Sequence, residues 1–175
     1  MKYQLDINDT IEVNGVALYR IIALKDFSDV KVGDRGGYIA HEGNLSHDGA
    51  CWVYGNARVY GNAEVYDDAL VSGNARALGN ARVLGNAWVY GDAEVYDDAL
   101  VSGNAWVLGN ARVYGDAEVY GNARVSGNAQ VYGNARVYGN ARVDGDARVD
   151  GNARVYGNAR VYGNARVDGD AEVTN

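Results

Sequence analysis

The sequence has no proline, one cysteine, one methionine and one phenylalanine among its 175 residues. Each scarcity removes a class of protein. Collagen needs proline and a three-residue period, and neither is present. Cys51 stands alone, so it closes no internal disulfide and builds no zinc cluster, and a reducing compartment is expected. No run of ~18 apolar residues occurs, which leaves no candidate membrane helix. The opening MKYQLDINDT lacks the apolar core of a signal peptide. Cationic residues are outnumbered, 16 Lys and Arg against 23 Asp and Glu. The net charge of −7 argues against non-specific nucleic-acid binding. Yet only 22% of residues are charged and 14 are tyrosine, so an acidic disordered tail is excluded as well.

What is present is a repeat. From Val53 to Val173 the motif Val-x-Gly-Asn-Ala-x recurs every six residues without an insertion. Twenty of its twenty-one valine slots hold Val, and the other holds Ala77. The slots two residues earlier hold Cys51 and then alanine throughout. A period of six fits neither an α-helix nor a heptad coiled coil. It fits a triangular solenoid in which each unit gives one short strand and one corner, and three units make a coil of eighteen residues. Alternation along Ala-x-Val-x points Ala and Val inward and both x residues outward. Gly-Asn supplies the left-handed backbone of the corner. Twenty-one units predict seven coils, stacked at ~4.8 Å into a body ~33 Å long.

The first 42 residues do not carry the motif. Thr10–Tyr19 reads as a hairpin around Asn14-Gly15. Residues 1–42 are therefore expected to form a β-rich cap on residues 43–175, covering the open edge of the first coil. The phase is expected to fade in through Gly43-Asn44-Leu45 and Gly49-Ala50-Cys51, which puts His47 in a valine slot and Cys51 in an inward alanine slot.

The pairs Val59 with Ala63 and Val65 with Ala69 follow the rule of the hexapeptide-repeat left-handed β-helix superfamily, an aliphatic residue and then a small one four positions on. Three further stretches make the likeness narrower: Leu18-Tyr-Arg-Ile-Ile-Ala-Leu-Lys-Asp-Phe27, Val32-Gly-Asp-Arg-Gly-Gly-Tyr-Ile39, and Glu42-Gly-Asn-Leu-Ser46 followed by Trp52. With them the whole chain resembles the YdcK-like proteins of bacteria and prophages. The resemblance implies an all-β, left-handed parallel β-helix and a phage or prophage setting, in the bacterial cytoplasm or on a virion. It implies no particular activity.

Residues eighteen apart stack on one face. One outward column reads Trp52, Leu70, Trp88, Trp106, Arg124, Arg142, Arg160. Its first four members make an apolar column expected to serve as a subunit interface or ligand platform. Its three arginines form a candidate anion site, with Asp144 as the one evident neighbouring carboxylate. A second column contains Tyr96, Tyr114 and Tyr132, candidates for stacking against sugars or bases. Asp67-Asp68 and Asp97-Asp98 replace Gly-Asn at two corners. Thirty residues separate them, so they lie on different edges and read as turn residues rather than a calcium site. Residues 59–88 and 89–118 match at 24 of 30 positions, as a duplication of five units would give.

Acyltransferases of the hexapeptide superfamily are trimers with a histidine base between neighbouring helices. Here the repeats hold no histidine, and only His41 and His47 are weak catalytic candidates. The leading expectation is therefore a non-enzymatic structural or binding protein, a rigid homotrimer joined through the tryptophan column, with no cofactor, metal or membrane partner. The alternatives are capture of a small anionic or aromatic ligand, such as a nucleotide or sugar, in grooves between subunits, and acyl transfer. Ice binding would require a threonine array, and the repeats have only Thr174. Asp168, Asp170 and Glu172 at the last coil read as charged guards against end-to-end stacking, or as a seat for a capping partner.

Overall fold

A computed structural model describes residues 1–175. Strand β1 (Tyr3–Val13) turns back at Asn14 and Gly15 into β2 (Val16–Ala23). Both turn residues have positive φ, 52° and 80°, as an Asn-Gly hairpin demands. β2 pairs antiparallel with β3 (Arg35–Ile39). From there the chain winds as a parallel β-solenoid. β3 pairs parallel with a strand at Arg58–Val59, and short strands, all but two of them two residues long, recur every six residues from Trp52–Val53 to Glu172–Val173. They stack into three sheets of ten, seven and seven strands, the ten including the hairpin. We name the three faces after their first repeat strands: Trp52, Arg58 and Glu64. The structure contains no α-helix, and no helix is long and apolar enough to cross a membrane.

The inward set is as the six-residue alternation requires. Val and Ala side chains from Val53 to Val155 are almost wholly excluded from water, in one continuous core. Twenty-one repeat strands supply seven turns. β3 and Leu45, which bridges Val65, open another, giving about eight turns. That opening turn corrects the expected phase. Ile39 pairs with Val59 and Leu45 with Val65, twenty residues on, whereas Val53 pairs with Val71, eighteen on. Leu45 therefore occupies a valine position and not an alanine one. Two extra residues are absorbed between Leu45 and Trp52, and His47 lies in this bulge rather than in a valine slot. The local similarity of Gly43-Asn44 to the motif hid the slip.

Asn44, fully buried, closes the inner side of this turn. Its Nδ2 donates to the carbonyls of Gly61 (3.0 Å) and Ala63 (2.8 Å), and its Oδ1 accepts from the backbone N–H groups of Ala40 (3.0 Å) and His41 (3.1 Å). Every donor and acceptor of the amide is used, which is what a buried polar group requires. Lys2 is also fully buried. Its Nζ donates to the Cys51 carbonyl (2.9 Å) and lies 3.2 Å from the Cys51 sulfur. Burial pushes the Cys51 thiol up, against the opposing pull of Lys2, as befits a structural cysteine. On the outer edges the corner asparagines form ladders, Asn86 to Asn104 to Asn122 to Asn140 to Asn158, at 3.1 Å per step.

Candidate binding face

The outward column on the Trp52 face divides into three parts. Trp52 itself is 1% exposed: the cap lies on it, with Phe27 edge-on at 5.3 Å and Tyr3 at 6.1 Å. This corrects the expectation of four contiguous exposed apolar side chains. Trp52 is the seat of the cap and cannot meet a partner. The cap also covers Tyr60, and Tyr54 donates a hydrogen bond to Asp29 (2.6 Å). Leu70 follows, half-buried against the core.

The second part is open to solvent. Trp88 and Trp106 stack with centroids 5.3 Å apart and planes 6° from parallel. They lie on strands that run for four residues instead of two, Trp88–Gly91 and Trp106–Gly109, pairing Tyr90 with Leu108 beside them. Trp88 is 42% and Tyr90 43% exposed, the largest aromatic exposures outside Tyr162.

The third part is cationic. The Arg124 guanidinium lies 4.3 Å over the Trp106 ring, within cation–π range. Arg124, Arg142 and Arg160 then follow on consecutive rungs, all exposed. None of them forms an ion pair, Asp144 included. Elsewhere acids interleave with arginines: Glu94 holds Arg76 (3.1 Å) and Arg112 (3.4 Å), Glu118 holds Arg136 (3.4 Å), and Asp150 holds Arg166 (3.4 Å).

Tyr96, Tyr114 and Tyr132 form their expected column on the Arg58 face, but in a way that disfavours stacking of a ligand. Their centroids are 4.8 and 4.9 Å apart and their planes within 4° of parallel. Both faces of Tyr114 and the inner faces of Tyr96 and Tyr132 are covered by neighbouring rings, so the column offers mainly edges and hydroxyls, while a sugar or base needs a free face. The Tyr132 hydroxyl is engaged by Asp150 at 2.5 Å, which raises its pKa. Tyr120, Tyr138 and Tyr156 repeat the arrangement on the Glu64 face.

Both histidines lie far along the chain from this column, where the cap meets the solenoid. His41 places Nε2 3.0 Å from the Gly61 carbonyl. His47 accepts the Lys2 backbone N–H at Nδ1 (3.2 Å) and stacks on Tyr3 at 4.3 Å, and its Nε2 is enclosed without a partner. His47 also lines an open cavity of ≈ 370 Å³ with Glu42, Ser46, Glu64 and Tyr66. Asp67 and Asp97 hold φ of 59° and 58° at their separate corners. Nowhere do three or more His, Cys, Asp or Glu side chains gather to hold a metal ion.

The YdcK Beta solenoid repeat matches residues 53–65, 93–109, 117–133, 129–145, 135–151, 153–169 and 159–173. The chain is a YdcK-like β-solenoid protein. The matched repeats of this YdcK-like solenoid include Trp106, Arg124, Arg142 and Arg160. They leave out residues 66–92, which hold Asp67-Asp68, Ala77 and Trp88. No curated protein matches the chain.

Lys2 and Asn44, which tie the cap to the solenoid, and Asp9, which ties the cap strands together, were not legible in the sequence. They are polar residues outside any repeat, and nothing in their spacing announces a partner. Asp9 accepts from Arg20 Nε (2.6 Å), from Arg35 and from the Tyr38 hydroxyl (3.0 Å). The Arg20 bond is the main reason its carboxyl sits below the usual range.

Proposed function

We propose that this YdcK-like solenoid is a non-enzymatic structural and binding protein, self-associated as a homotrimer through the apolar part of its Trp52 face. The observation that carries this reading is the exposure of Trp88 and Tyr90, 42% and 43%, beside Trp106 and Leu108 on two in-register strands. A contiguous aromatic surface on a rigid sheet is costly to leave in water, and burying it against copies of itself removes that cost. The parallel ladders hold the patch rigid, so association needs little ordering of side chains. A phage or prophage setting within the bacterial cytoplasm accords with the family resemblance. Acyl transfer gains no support from His41 and His47: a backbone group engages one ring nitrogen of each, and neither lies on the Trp52 face column of Trp88 and the arginines.

Native mass spectrometry and analytical ultracentrifugation test the trimer. The unmodified chain is expected at three times its monomer mass. Trp88→Ala combined with Tyr90→Ala is expected to yield monomers whose melting temperature stays within a few degrees, because both side chains lie outside the core. A monomeric unmodified chain at micromolar concentration would overturn the self-association.

A second reading, ligand capture, is favoured by the arginine column of the same face. It concerns residues beyond the aromatic patch, so the two readings are compatible.

A further inference from the structure

Three guanidinium groups on consecutive rungs, without one ion pair among them, are electrostatically unfavourable in the free protein. Arg124, Arg142 and Arg160 are the one place where three arginines stack in succession without a carboxylate joining them. The column is also anchored. Arg124 is held over Trp106, and Trp106 is stacked on Trp88, so its first cation is fixed by packing. The chain as a whole carries −7, so this run of three adjacent unpaired cations stands out against an acidic background.

The neighbouring column narrows the chemistry. Beside the arginines, two residues further along each strand, stand Ser126, Asp144 and Tyr162, the last 67% exposed. A carboxylate at Asp144 repels a ligand dense in negative charge. It suits one in which hydroxyl groups alternate with sparse charges, because a hydroxyl donates to Asp144 while Ser126 and Tyr162 exchange hydrogen bonds with others. Nucleic acid is further disfavoured because both faces of Trp106, the indole beside the arginines, are already taken, one by Trp88 and the other by Arg124.

We infer that the Arg124, Arg142 and Arg160 strip is a binding site for a linear polysaccharide bearing one carboxylate per sugar, lying along the solenoid axis. The repeat of such a polymer, one pyranose ring, is of the order of the ~4.8 Å rung spacing, so each carboxylate that turns toward the strip finds a guanidinium group within reach. Each pair is a charge-assisted hydrogen bond, the strongest polar contact an exposed face can offer. The inference rests on reading the chain as a binding solenoid, and it does not depend on the trimer.

Isothermal titration calorimetry at low salt tests it with oligogalacturonate, with dextran as the neutral control, and with oligothymidylate and polyphosphate as the other polyanions. Oligogalacturonate is expected to bind, more tightly as its length grows to span three rungs, and dextran is not. Arg142→Ala should weaken binding about tenfold or more, the loss of one charge-assisted contact. Arg142→Lys should weaken it less. Arg82→Ala, an exposed and unpaired arginine on the Glu64 face, should leave it unchanged. No heat with oligogalacturonate overturns the inference. So does an equal loss in Arg82→Ala, or tighter binding of oligothymidylate or polyphosphate. Native mass spectra of the same samples keep the two readings apart. A trimer that ignores oligogalacturonate refutes the polysaccharide site alone, whereas a monomer that binds it refutes the trimer alone.

Discussion

Gly103 holds φ at +68°, and a Cβ there would lie 3.1 Å from the backbone nitrogen of Gly121 in the next coil. Gly163 has nearly the same φ, +64°, with nothing within 4 Å. The pair separates two costs that usually arrive together. Gly163→Ala incurs only the left-handed backbone, about 1 kcal/mol. Gly103→Ala adds a clash with rigid backbone and should cost about 2–3 kcal/mol. Urea unfolding of both variants measures the difference, and equal losses would refute the corner-stacking argument. Asp67 and Asp97 occupy the same corner conformation, and their Oδ2 atoms accept the N–H groups of Gly85 (3.0 Å) and Gly115 (3.3 Å) one coil on. A side chain at a corner is thus tolerated when it bonds forward, which explains why the two replacements of the corner glycine are both aspartate.

At the scale of elements, the cap is held by apolar contact and by one ionic cluster. Trp52 and Tyr60 supply the apolar seat. Asp9, Arg20, Arg35 and Tyr38 join β1, β2 and β3, with the Arg20 guanidinium 4.2 Å over the Tyr38 ring. The Asp9 carboxyl is lowered in the folded chain, first by the Arg20 bond. A lowered carboxyl contributes stability that is present above its unfolded pKa, ~3.9, and is lost as pH falls through the folded value. Hydrogen exchange on the hairpin should therefore accelerate below about pH 4, ahead of the solenoid strands, and Asp9→Asn should flatten that dependence. Unchanged acid sensitivity in Asp9→Asn would assign the effect to another group. Much of this element was legible: Asn14-Gly15 announced its turn and the missing repeat announced a cap. Its seat was not, because nothing in the column from Trp52 to Trp106 distinguishes the tryptophan that the cap covers from the two it leaves open.

For the whole molecule, fold and surface obey different periods. The core repeats every six residues, because all three sides bury the same Val and Ala. The surface repeats every eighteen, because only then does a side chain return to its face. Deleting residues 109–114, one complete side, should leave a folded solenoid with a cooperative melt. It should also separate Trp106 from Arg124, since Gln130 would become the next residue above Trp106. Deleting residues 109–112 puts Val and Ala out of phase and should abolish that melt. Circular dichroism of the two deletions decides it, and equal folding of both would contradict the six-residue phase. The same arithmetic explains the inexact copy between residues 59–88 and 89–118. It preserved the core while turning every copied surface residue by two faces, so Asp67 and Asp97 make the same contact on different edges.

The sequence alone determined the parallel β-solenoid, its inward Val and Ala, its left-handed corners, its aligned surface columns and its hairpin, because each follows from local geometry repeated at a fixed period. Only the tertiary structure decided which members of a column are free to act. Burial of Trp52 depends on where the hairpin comes to rest, and the slipped register at Leu45 on how the first turn absorbs two extra residues. Covered tyrosine faces depend on rings settling parallel, and the unpaired arginines on which carboxylates actually reach them. Those outcomes are fixed by contacts between residues distant in sequence, which a six-residue motif does not encode.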